Sequence, residues 1–185
     1  MTLSDQIAQA AEDLRAAASG VSDKDLTQLT LALHAARKIV LYGCGREGLM
    51  MRALAMRLYH LGLDAHMVGD MACPPVGPGD LFVASSGPGH LSTVAALIQQ
   101  AQMAGAKTAC ITAEPTGPDP QSADLTLHIP AQTMASDQTA TTALLPMGSV
   151  FEGAQFLIFE ILILRLRDLT QQTPAQLRAR HTNLE

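Results

Sequence analysis

Glu152 ends the run "LLPMGSVFE", residues 144–152, just where a long apolar helix begins. A carboxylate in that place can take a proton from one carbon and return it to the next, which moves a carbonyl along a carbon chain through an enediol. It can equally be a first-turn carboxylate that faces the positive end of a helix macrodipole. His181, in the polar "RHTNLE" that closes the chain, can protonate an oxygen near neutral pH or can be a solvated tail side chain. These two are the candidate catalytic residues.

Two glycine loops supply candidate binding groups. "GCGREG", residues 43–48, and "ASSGPGHLST", residues 84–93, each follow an apolar run and precede a helical pattern. Unpaired N–H groups at such a loop and helix start attract anions. The candidates are Gly45, Arg46 and Glu47 in the first loop, and Ser86, Gly87, Gly89, His90, Ser92 and Thr93 in the second. Simple helix capping is the alternative for His90, Ser92 and Thr93. Glu47 and His90 can instead hydrogen-bond hydroxyls. Gly43, Gly45 and Gly48 also fit the G-x-G-x-x-G pattern, with Asp64 or Asp70 as a ribose acid, but that short pattern alone does not establish a dinucleotide site. Arg57, in "AMRLYHLG", is a further candidate, with helix-surface ion pairing as its alternative. His60, His66 and His128 lack metal-ligand spacing, so no metal or cofactor is implied.

The elements that must position these groups alternate. Two helices span about residues 2–36, with Ser4 and Ser22 as expected N-caps and Gly20 between them. Strands are expected in "KIVLYGCG", "DAHMVGD", "LFVASSG", "KTACITA" and "ADLTLHIPA". Helices are expected in "REGLMMRALAMRLYHLG" and "HLSTVAALIQQAQMAG", and from about Ser149 to Thr170. A polar tail covers about residues 171–185. Continuous apolar strands alternating with helices predict an α/β fold, a three-layer αβα sandwich around a five-stranded parallel sheet. Ligands then bind beyond the carboxyl ends of the strands, where the two glycine loops fall.

Composition excludes other classes. The 185 residues carry a formal charge of −5 and are 48% hydrophobic, so the chain is globular and offers no basic footprint for nucleic acid. "QFLIFEILILRL", residues 155–166, is too short for a bilayer and is interrupted by Glu160 and Arg165, so no membrane partner is expected. Three cysteines, Cys44, Cys73 and Cys110, with no C-x-x-C spacing and no signal-like start, fit a cytoplasmic protein.

In order, "GCGREG", "AMRLYHLG", "VGD", "GDLFVASSGPG", "LLPMGSVFE" and "RHTNLE" resemble the 6-phospho-3-hexuloisomerase branch of the sugar isomerase (SIS) domain family, over about Lys38 to Glu185. The resemblance implies one SIS domain over 1–185 with a flavodoxin-like sandwich. It also implies metal-free isomerisation of a ketose phosphate, and assembly as a homo-oligomer, usually a tetramer. It makes Glu152 the proton-moving carboxylate, His181 a ring-opening aid from a neighbouring subunit, and Arg57 a residue near the site. The family's anion loop reads S-G-S-G-x-T, with a serine in G-x-G-R-S-G as a further donor. Here only Ser86 keeps its hydroxyl; Glu47, Pro88 and Leu91 replace the other donors, and Pro88 also lacks an N–H. A carboxylate facing a phosphate is a like-charge pair. The expected ligand is a sugar phosphate or a sugar with an altered head group, and the alternative to an enzyme is an inactive sugar-binding or regulatory SIS module.

Overall fold

The computed structural model describes residues 1–137 and 143–184. Five strands form one all-parallel sheet in the order β2-β1-β3-β4-β5, with β1 at Ile39–Gly43, β2 at Ala65–Met67, β3 at Leu81–Ser85, β4 at Lys107–Thr112 and β5 at Leu125–His128. The strands are buried on both faces because alternate residues serve different layers. Ile39, Leu41, Leu81, Val83 and Ile111 pack into the larger core, while Val40, Phe82, Ala84 and Cys110 pack into the smaller one.

The larger core is closed by α1 (Leu3–Ser19), α2 (Asp23–Ala35), α3 (Gly45–His60) and α6 (Ser149–Thr170). The other face is covered by α4 (Ser92–Met103), with α5 (Pro118–Ser122) beside it. This is the expected three-layer sandwich, and the last helix has its expected bounds. Leu162 and Leu166 of α6 are wholly buried, so that apolar helix is a core element. Among the described residues no helix is long and apolar enough to cross a membrane.

Two local expectations change, and one short helix is additional. Ser22 caps α2, but Thr2 rather than Ser4 caps α1, because Thr2 and Asp5 complete a reciprocal capping box. "GPDPQS", which carries turn residues, makes the short helix α5. The polar tail holds α7 (Pro174–Ala179), opened by a Thr173–Gln176 capping box. The tail is docked: Arg180 Nη1 donates to the His60 carbonyl and to Gln172 Oε1, both at 3.0 Å, and His181 stacks on His60 with ring centroids 5.1 Å apart. Glu185 lies outside the described residues.

Candidate active site at the carboxyl ends of β1 and β3

After β1 the chain crosses to α3 on one face of the sheet, and after β3 it crosses to α4 on the other. Such a divergence opens a crevice at the carboxyl edge. The register pairs Gly43 with Ser85, so the two glycine loops leave the sheet side by side. A Cβ on Gly48 would lie 2.5 Å from the Gly43 carbonyl oxygen, so only glycine lets the first turn of α3 close onto β1. That closure turns Glu47 inward. Gly89, at φ +81°, needs the same freedom, and a Cβ on Gly117 would lie 2.4 Å from the Gly89 carbonyl oxygen.

Glu47 fills the space between the loops. Its Oε2 accepts from Ser85 Oγ at 2.5 Å and from the Gly87 N–H at 3.0 Å, and its Oε1 faces Gly87, where a Cβ would lie 2.6 Å away. Ser85 is held from behind by Gln155 Nε2 at 2.9 Å. Burial raises the Glu47 carboxyl above its ordinary value; the Ser85 and Gly87 hydrogen bonds oppose this, and the nearby Glu152 charge adds to it. A carboxyl raised in the folded state contributes stability that is fully present below its unfolded value and lost as pH rises through the folded one. The unfolding free energy of the parent minus that of Glu47→Gln is therefore expected to fall as pH rises from about 4.3 through the raised value. Urea unfolding across that range checks this, and a flat difference contradicts it.

The second loop is pinned from below by Asp119, a residue the sequence reading missed. Its side chain is wholly buried; Oδ2 accepts from Ser86 Oγ at 2.6 Å and from the Leu91 N–H at 2.8 Å, and Oδ1 lies 3.0 Å from His90 Nδ1. Ser86 is thus a buried donor to Asp119. His90 is held by the same carboxylate with its side chain 56% exposed. Leu91 occupies the N-cap of α4 with no side-chain cap, and Ser92 and Thr93 stand exposed in the first turn.

Glu152 comes to the same edge from the first turn of α6. Met147 (φ 56°) and Gly148 (φ 82°) are both left-handed, and this sharp entry sets the direction of the helix. Arg46 Nη2 donates to Ser149 Oγ at 2.8 Å and to Glu152 Oε2, so the first loop and the start of α6 are tied together. The Glu152 carboxylate holds the Arg46 guanidinium above its ordinary value. Phe151, beside Glu152, packs close to Gly87. Gly45, Arg46, Glu47, Ser86, Gly87, Gly89, His90, Ser92, Thr93 and Glu152 therefore share one edge of the sheet.

Arg57 and His181 do not. Arg57 lies about 16 Å along α3 from Arg46 and pairs with Glu160, Nη2 to Oε2 and Nε to Oε1 both at 3.2 Å, the second contact poorly aligned for a hydrogen bond. His181 stacks on His60 at the far end of α3, about 20 Å from Arg46. Asp64 precedes β2 and pairs with His66 at 2.7 Å, away from the glycine loop. Asp70 lies 3.4 Å from Arg52. A groove of about 570 Å³ runs between α1, α2 and α6 and is lined mainly by Leu14, Ala18, Leu26, Leu157 and Ile161. Its charged linings are Arg15, Asp23 and Arg165, and none of the candidate residues lines it.

Comparison with known proteins agrees with this architecture. The SIS domain model matches residues 32–154, more than half of the chain. The 3-hexulose-6-phosphate isomerase of Bacillus subtilis is 29% identical over all of both chains, and that of Methylomonas aminofaciens is 35% identical over 91% of this chain and 90% of its own. A crystal structure from Methanococcus jannaschii, for which a 3-hexulose-6-phosphate isomerase function was inferred, superposes with a TM-score of 0.84 at 25% identity, covering 98% of this chain and 99% of that one. The chain belongs to the SIS domain family, as an isomerase resembling its 3-hexulose-6-phosphate isomerase branch.

Proposed function

We propose that this isomerase moves a carbonyl between adjacent carbons of a sugar, ketose to ketose or aldose to ketose, through an enediol and without a metal. Glu152 takes the proton from the carbon beside the carbonyl. The C–H electrons form the new C=C bond and the carbonyl electrons pass to oxygen, giving an enediolate. The hydroxyl proton moves between the two oxygens, and Glu152 returns its proton to the former carbonyl carbon, so nothing is oxidised or reduced overall. Arg46 stays cationic and can face the developing oxyanion. The observation that carries this reading is Glu152 fixed by Arg46 at the rim of the two loops. The relatives' activity supports it.

A binding module without turnover is the second reading, favoured by the loop donors already bonded to Glu47 and Asp119. Incubating the protein with free and phosphorylated ketoses and following the carbonyl position by NMR separates the two. A new isomer is expected, and ligand binding with no isomer formed would sink the enzyme.

We read the chain as one SIS domain, placed in the cytoplasm, which its three free cysteines support. We also propose a homo-oligomer, a tetramer by family, in which His181 serves a neighbouring copy, since about 20 Å of helix separates it from Glu152 in its own. Exposed Met56 and Tyr59 on α3 and Phe156 and Leu164 on α6 support such contacts. Light scattering at micromolar concentration is expected to show an oligomer. A monomer would contradict this and remove His181 from the mechanism.

A further inference from the structure

Moving a carbonyl along a sugar shifts one proton between carbons and another from the hydroxyl oxygen to the carbonyl oxygen. We infer that Glu47 is a second catalytic carboxyl at this edge and carries the oxygen-bound proton, while Glu152 moves the carbon-bound one. This rests on the sugar-isomerase reading and adds a residue to its mechanism. Two carboxyl groups at one edge divide acid and base work when their surroundings differ. Here Glu152 is ion-paired with Arg46, whereas Glu47 has no ion pair among the described residues and lies between the two loops, hydrogen-bonded only to neutral donors.

The hydrogen bonds assign the proton to one oxygen. Gln155 Nε2 donates to Ser85 Oγ, so the Ser85 hydroxyl hydrogen points to Glu47 Oε2, which accepts the Gly87 N–H as well. An oxygen that accepts twice is the carbonyl oxygen of a carboxylic acid, and the proton falls to Oε1. Oε1 has no hydrogen-bond partner among the described residues, and Glu47 is only half-buried, so a substrate oxygen can reach it. Burial favours this acid form, and the Glu152 charge adds to it, against the Ser85 and Gly87 bonds. The other titratable groups around Glu47 leave the role to it. The Cys110 thiol on β4 is pushed up to about 12 by burial and by the charges of Asp119 and Glu47; Asp119 and His90 hold each other, and Arg46 stays cationic. The anionic end of a sugar phosphate is met by Ser92 and Thr93, exposed in the uncapped first turn of α4, and Glu47 works at the carbonyl.

As Glu152 takes the carbon-bound proton, the C–H electrons form the C=C bond and the carbonyl electrons pass to oxygen. That oxygen takes the Glu47 Oε1 proton, which gives a neutral enediol and a Glu47 carboxylate. Glu47 then takes the proton of the other hydroxyl, whose oxygen forms the new carbonyl, and the C=C electrons bind the proton that Glu152 returns to the former carbonyl carbon. Both carboxyl groups end as they began, and nothing is oxidised or reduced overall.

The test compares the parent with Glu47→Gln on fructose 6-phosphate and on fructose, by NMR turnover from about pH 5 to about pH 9 and by calorimetric binding. The amide keeps the side-chain shape and an oxygen for Ser85 and Gly87, but it cannot give up a proton. The variant is expected to bind within about threefold of the parent and to isomerise about 10²-fold more slowly. It is also expected to lose the alkaline fall in kcat that the parent shows as Glu47 deprotonates. A residue that only held the loop would keep both rate and profile in the variant, and that result overturns the inference. So does a parent whose kcat does not fall on the alkaline side, which is read whether or not the variant folds. A parent inactive on both sugars fails the isomerase reading and this inference with it. An active parent matched by Glu47→Gln fails this inference alone.

Discussion

Glu152→Gln is expected to fold like the parent, bind its sugar nearly as well, and isomerise about 10²- to 10⁴-fold more slowly, the range that a positioned acid–base group supplies. The amide has the size of the carboxylate and keeps an oxygen that Arg46 and its neighbours can meet, but it cannot accept the substrate proton. The lost charge should cost little stability, because the Arg46 side chain is 53% exposed and such partly solvated pairs contribute about 1 kcal/mol or less. Parent-like turnover in this variant, followed by NMR, would make Glu152 a first-turn helix carboxylate and nothing more.

The largest expected loss of stability comes from Asp119→Ala. The variant strands the wholly buried Ser86 hydroxyl and the Leu91 N–H and frees His90, all of which now converge on one carboxylate. A buried polar group left unpaired costs about 1–3 kcal/mol. Two such groups predict a loss of about 2–6 kcal/mol, which for a chain of this length lowers Tm by roughly 4–24 °C. Asp119→Asn keeps an acceptor oxygen and is expected to recover part of that loss. A thermal melt of Asp119→Ala unchanged from the parent would mean that Asp119 does not pin the loop.

Asp119 also marks where the sequence could be read and where it could not. The sheet was legible because each strand is a short apolar run bounded by glycine or a polar turn, and α6 because its apolar stretch is long and ends sharply. The grouping of the two glycine loops followed from the rule that parallel sheets gather loops at their carboxyl edge. The bond between Glu47 and Ser85 did not, because those residues are far apart in the chain and meet only through the Gly43–Ser85 register. "GPDPQS" carries turn-forming residues, and nothing local shows that its aspartate will be buried under another loop. Its spacing from His90 carries no periodic signal, and the connection "AEPTGPDPQSAD" holds Glu114, Asp119 and Asp124, of which nothing local singles out Asp119. The docking of Arg180 and His181 on the end of α3 is likewise a tertiary contact, which a polar tail does not announce.

The most direct measurement of the central claim is solvent-proton exchange. The parent is incubated in deuterated water with a ketose that it binds, and NMR follows the C–H positions beside the carbonyl. Transfer through an enediol predicts deuterium at those carbons in the parent, together with the shifted carbonyl, and neither change with Glu152→Gln. A bound ketose that keeps all its C–H protons with the parent, or that exchanges them equally with the variant, would contradict it.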